Sequence, residues 1–340
     1  MKPSSIIFLI VSVLVIAGGC VLCSIGSNMA AEQGVALFET DVTVMGDDVI
    51  RTDTFDASAI NKIKLTLDEA DVYICASESG ESYLELRNFQ VGSYDYSVQN
   101  KMLLVDNETS LFSLVRIAEG NFSFDGLRHY LTYKAGANTE KSLYIYLAED
   151  AALNAFEITV KRGTIGIENL AFSADYNISL TAGDIILRGI TTKSAVNLST
   201  NKGIITADNI GIRTGTIIVG DGAADLFLKT IPSELQVSVM EGDIECGYAV
   251  SSEYGLQIEA EASGSIMYKG AEKTERPFAY TSSANAAPQT FTAENGNVNI
   301  AINATAPAGR FDDLSEELAR EAETEDLDAV VVETEPVSEA

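Results

Sequence analysis

Five glycines, Gly163, Gly183, Gly203, Gly222 and Gly242, recur at intervals of 20, 20, 19 and 20 residues, and each sits between two alternating apolar runs. The runs before them are Phe156/Ile158/Val160, Tyr176/Ile178/Leu180, Val196/Leu198/Thr200, Gly215/Ile217/Val219 and Leu235/Val237/Val239. Behind them come Ile165/Ile167, Ile185/Leu187, Ile205/Ala207, Ala224/Leu226 and Ile244/Cys246. Apolar residues two apart share one face of a β-strand, and runs of about five residues are too short for an independent helix. A glycine between two such runs suits a turn that needs positive φ or a close backbone approach. One unit cannot bury its stripe alone, whereas units stacked about 4.8 Å apart bury a continuous one.

The pattern therefore predicts an all-β fold, a β-solenoid of the parallel β-helix kind with repeats near twenty residues. Leu170, Ile190 and Ile210, each seven residues past a glycine, would cap a third side or a corner of each coil. In the fourth unit Lys229 falls at that place and Leu228 substitutes. An antiparallel β-sandwich of short hairpins is the competing architecture.

Around this block the chain divides into four parts. Residues 1–26 hold Lys2 and an apolar run from Ile6 to Ile25, long enough to span a bilayer, with the remainder exported. This is read as a signal-anchor helix. The alternative is a lipoprotein signal with Ala17-Gly18-Gly19-Cys20 as cleavage and lipidation site. Residues 27–58 read as a linker with a turn at Gly46-Asp47-Asp48 and room for one strand, and residues 59–304 as the β-domain, where Tyr94/Tyr96/Val98 and Met102/Leu104 continue the alternation. Within it, residues 106–140 break the alternation and read as a loop, and Lys269–Pro288 as another. Residues 305–340 read as a disordered acidic tail. From Asp312 to Ala340 there are 12 Asp and Glu against Arg320 alone.

The net charge of −28 excludes a nucleic-acid backbone as partner, which needs clustered Lys and Arg. It also opposes lying on an anionic lipid surface. Little in the chain suggests chemistry. His129 lies alone in a polar loop with no nucleophile motif beside it. Asp184 and Asp243 each follow a repeat glycine, and aligned carboxylates could hold Ca²⁺ or act on a polysaccharide. Thr164, Ile204 and Ala223 interrupt that alignment, so no metal is expected. Gly220-Asp221-Gly222 lacks the lysine and helix of a phosphate loop, so no cofactor is expected either. Cys75 and Cys246 lie on separate strands, and their pairing is left open. Sequons at Asn107, Asn121, Asn177, Asn197 and Asn303 are read as chance, two of them falling inside strands.

The stretches Ile63-Lys64-Leu65-Thr66-Leu67 and Asp71-Val72-Tyr73-Ile74 carry a resemblance. So do the turns Gly183-Asp184-Ile185, Gly203-Ile204-Ile205 and Gly242-Asp243-Ile244. Together they resemble a bacterial family of surface domains called putative adhesins, over residues 59–304. The resemblance implies a β-solenoid-like fold at the cell surface and supplies no catalytic residue. The expected function is a membrane-anchored, extracytoplasmic, adhesin-like interaction module without catalysis. Its expected partners are the membrane, through the N-terminal helix, and a surface protein or glycan. A polysaccharide-binding or polysaccharide-cleaving β-helix is the first alternative, and an envelope-stress signalling component the second.

Overall fold

The computed structural model describes residues 41–45, 48–89, 94–106 and 141–304. The expected helix 1–26, Cys20, the loop carrying His129 and the tail 305–340 lie outside the described residues. No helix among the described residues is long and apolar enough to cross a membrane.

In chain order the strands begin with a hairpin, β1 (Asp41–Met45) and β2 (Asp48–Phe55). A single 3-10 turn, Ala57–Ala59, follows, with Asp56 accepting the Ser58 N–H at 2.9 Å. Then come β3 (Lys62–Glu69), β4 (Asp71–Ala76), β5 (Ser82–Arg87), β6 (Asp95–Gln99), β7 (Met102–Asp106) and β8 (Ser142–Leu147). The repeat block is β9 (Ala155–Arg162), β10 (Ile165–Glu168), β11 (Asp175–Ala182), β12 (Ile185–Arg188), β13 (Ala195–Ile210), β14 (Thr214–Leu228), β15 (Glu234–Glu241) and β16 (Ile244–Tyr248). The chain closes with β17 (Leu256–Ala262), β18 (Ile266–Tyr268), β19 (Ala271–Lys273), β20 (Phe278–Thr281), β21 (Ala287–Asn295) and β22 (Val298–Ile302).

Each coil lays one strand on a first wall, turns at its glycine, and lays a second strand on a second wall. Neighbouring coils pair in parallel with matched residues, so Ile165, Ile185, Ile205, Ala224 and Ile244 form one row. These parallel ladders set aside the antiparallel sandwich. Antiparallel pairs occur at the two ends, where β2, β5 and β6 lie at one and β19 and β20 at the other. Edges that would otherwise template further pairing are thereby covered by short strands of the chain itself.

The expected inward residues are the core: Phe156, Ile158, Val160, Ile165 and Ile167 have no exposed surface, and later coils repeat this. Phe156 and Tyr176 stack in the interior with ring centroids 4.7 Å apart. Two coils later the same column holds Gly215, because Ile212 and Leu235 fill its space; a Cβ there would come within 2.9 Å of both. Leu170, Ile190 and Ile210 are buried on the third side, and Leu228, paired with Ile210, takes that place in the next coil.

The structure differs from the sequence reading in four respects. The stretch 27–58, read as a linker, contributes β1 and β2, and β2 extends the second wall by pairing with β5. The Lys269–Pro288 loop contains β19 and β20. In β7 the core residues are Leu103 and Val105, while Met102 and Leu104 are only partly buried. Coil order also departs from chain order at both ends. The β7–β8 coil stacks outside β3–β4, and β21–β22 is inserted between β15–β16 and β17–β18.

Candidate functional site

The glycine corner is built by close approach. The five repeat glycines have φ between 128° and 149°. A Cβ on Gly183 would lie 1.8 Å from the Gly163 carbonyl oxygen, on Gly203 2.0 Å from that of Gly183, and on Gly222 1.9 Å from that of Gly203. Gly242 continues the column over Gly222, and Gly296 over Gly242. Ala70 precedes it, its carbonyl 2.1 Å from the Cβ position of Gly163. β13 and β14 run unbroken through their glycines, so the corner there is a bend in one strand.

The residues after these glycines explain Asp184 and Asp243. Asp71 Oδ1 accepts the Thr164 N–H at 2.6 Å, Asp184 Oδ1 the Ile204 N–H at 2.7 Å, and Asp243 Oδ1 the Asn297 N–H at 2.7 Å. Asn297 repeats the contact, its Oδ1 accepting the Ser265 N–H at 2.8 Å. Each carboxylate thus satisfies a backbone donor of the next coil at a bend where the ladder is interrupted. Asp184 and Asp243 lie three coils apart, about 14 Å at the usual strand spacing, well beyond the roughly 5–9.5 Å of a glycosidase pair. No group of three His, Cys, Asp or Glu that could hold a metal occurs among the described residues.

Cys75 and Cys246 are free and far apart. Four strands separate β4 from β16 on the second wall. Burial, helped by the carboxylates of Glu168, Glu78 and Glu85, pushes the Cys75 thiol up to about 11. Burial pushes Cys246 up to about 12. Neither is a thiolate at neutral pH, so neither offers a ready nucleophile.

On the outer face of the second wall, Glu168, Arg188 and Asp208 fall in one row. Glu168 is only 7% exposed, with Oε1 3.3 Å from Arg188 Nη1. Desolvation raises the carboxyl pKa of Glu168 and of Asp208, and Arg188 pulls both back in part. Arg188, at the centre of the row, is ion-paired with Glu168.

The outer face of the first wall is different. A shallow trough of about 510 Å³ runs across β3, β9, β11, β13 and β14. One side is the row Lys64, Glu157, Asn177, Asn197 and Thr216. The other is Thr159, Ser179, Ser199 and Ile218, the last 50% exposed. Asn197 Nδ2 donates to Asn177 Oδ1 at 2.8 Å, tying adjacent coils on the rim. At the β3–β9 end Glu157 is engaged by Lys62, and Asp68 by Lys161. Across β11, β13 and β14 the trough walls carry no charge. The two in-strand sequons, Asn177-Ile178-Ser179 and Asn197-Leu198-Ser199, are this face read along the strand: outward amide, inward core residue, outward hydroxyl.

Comparison with known proteins identifies a family. The family model described as Toastrack DUF4097 matches residues 60–309. The chain belongs to the Toastrack DUF4097 family. A solved structure of a putative adhesin from Bacteroides fragilis is similar at 14% identity and TM-score 0.43, over 75% of this chain and 98% of that one. A putative cell adhesion protein from Clostridium sporogenes is similar at 14% identity and TM-score 0.26, covering 75% of this chain and 100% of its own. A putative lipid binding protein from Parabacteroides distasonis shows 15% identity and TM-score 0.26, over 74% and 96%. No curated protein matches the chain. The resemblance drawn from the turn motifs holds, over almost the same residues. In this Toastrack domain the sequence singled out the glycines and the corner aspartates. It did not single out the trough, although the N-x-S spacing at a twenty-residue interval was its visible sign.

Proposed function

We propose that this Toastrack domain is an extracytoplasmic interaction module, held at the membrane by residues 1–26, which acts by binding and not by catalysis. The observation that carries the reading is the first-wall trough. Over β11, β13 and β14 its walls are amides and hydroxyls that hydrogen-bond well, and that stretch of the lining holds no charged group to serve as a base. A rigid stack of coils holds such groups at fixed spacing, which lowers the ordering cost of engaging a partner. The acidic surface keeps the domain dispersed and leaves the charge-free stretch of the trough, over β11, β13 and β14, as the place where a partner approaches without a charge penalty.

The test is topological. On intact cells, protease added outside should degrade the β-domain while cytosolic markers survive. Full protection of the domain until the cells are lysed would overturn the placement.

A further inference from the structure

We propose that the first-wall trough binds an extended, uncharged, linear glycan laid across the strands. The inference rests on the reading of this face as the binding surface and adds the class of ligand.

Three features point there. The first is shape. The trough crosses four strand-to-strand steps, about 19 Å, and the rows bounding it are two residues apart along the strand, about 7 Å. It is long and narrow, which suits a chain molecule. The second is period. Equivalent wall groups recur once per coil, about every 4.8 Å, close to the advance of one hexopyranose ring in an extended β-linked chain. An extended peptide would present side chains about every 6.8 Å on one face, out of step with the coils. It would also find no free backbone to pair with, since these strands are paired on both sides. The third is chemistry. Asn177, Asn197, Ser179, Ser199 and Thr159 each offer a donor and an acceptor, the complement of neutral sugar hydroxyls. Polyanions gain nothing from walls with one lysine against one glutamate, inside a molecule of net charge −28. Lipid chains would leave methylenes in water above polar walls. Exposed Ile218 closes one end with an apolar patch that can meet the C–H face of a ring.

The purified full-length chain should be titrated by calorimetry with cellohexaose and fully N-acetylated chitohexaose, and with an oligogalacturonate of equal length as the charged comparator. Binding of at least one neutral hexamer is expected, changing less than about twofold between 50 and 500 mM salt because no ion pairs form. The oligogalacturonate should bind at least about tenfold more weakly. Ser179→Tyr and Ser199→Tyr, which fill the floor between the rows, should each weaken the neutral hexamer at least about tenfold. Glu259→Gln, outward on the same wall but beyond the trough, should leave it unchanged. Thermal melts equal to the parent's show that the tyrosine variants fold. No binding of either neutral hexamer, tighter binding of the polyanion, or unchanged affinity in folded Ser179→Tyr and Ser199→Tyr would overturn the proposal. None of these results bears on the cellular placement of the domain, which the protease experiment reads independently.

Discussion

At the residue scale the glycine column is the most exacting feature. Each glycine lies under 2.2 Å, at its absent Cβ, from the carbonyl of the coil before it, so an added methyl must push two coils apart. Positive φ adds backbone strain for any L-residue. Gly203→Ala should therefore cost more than about 3 kcal/mol, read as a lowered urea midpoint. Asp184→Ala removes one acceptor from an exposed corner and should cost only about 1 kcal/mol. Equal effects of the two would show that the corner is looser than this geometry requires. Glu168 makes a second residue-scale prediction. Its folded pKa is raised above the ordinary 4.5 by desolvation, outweighing the pull of Arg188. Between the ordinary and the raised value the folded state holds more protons than the unfolded one, so this group's stabilisation is complete at low pH and is lost as pH rises through the raised value. Asp208 acts in the same sense. Glu168→Gln should flatten the decline of stability with rising pH in that window, measured by urea unfolding at a series of pH values. An unchanged slope would remove Glu168 as its source.

At the element scale, strands and their inward faces could be read wherever alternation and glycine coincide, because both follow from the same event, a strand turning a corner over its neighbour. Phe156/Ile158/Val160 and Ile165/Ile167 needed nothing more. The second corner was marked only by its buried residues, and the residues that turn it were not. It is made by Asn169, Gly189 and Asn209, with φ of 54°, 65° and 55°, each directly before the buried Leu170, Ile190 or Ile210. Asparagine tolerates the left-handed region almost as glycine does, so the signal was split between two residue types and no single letter recurred. Register in β7 failed for another reason. Met102, Leu103, Leu104 and Val105 are all apolar, and an unbroken apolar run does not say which of its two sets faces in. The trough was hidden because it is made of residues that sequence reading treats as surface filler. Asn, Ser and Thr on an outward face acquire meaning only when parallel pairing places those of successive coils side by side.

At the scale of the whole molecule, what the sequence could not disclose was the order of the coils. Stacked coils communicate only with their neighbours, so order decides which parts fall together. The last coil in the chain, β21–β22, is the one on which β17–β18 rests, through parallel ladders from Leu256↔Ala287 to Tyr268↔Ile300. It also supplies Gln289, only 1% exposed, which accepts from the Tyr248 hydroxyl at 3.2 Å and donates to the Pro232 carbonyl at 2.9 Å. A chain ending at residue 286 keeps every residue of β17, β18, β19 and β20 yet removes their support. Sliding β17 onto β15 would put Ile258 where Gln289 was and strand two buried polar groups, each at a cost of about 1–3 kcal/mol. Such a chain should therefore lose two coils and not one. Hydrogen exchange should show Leu256–Tyr268 as open as an unfolded segment, while β11 to β14 keep their protection. Native protection across Leu256–Tyr268 in the shortened chain would mean that the coil re-docks, and that the inserted coil is not what holds that end together.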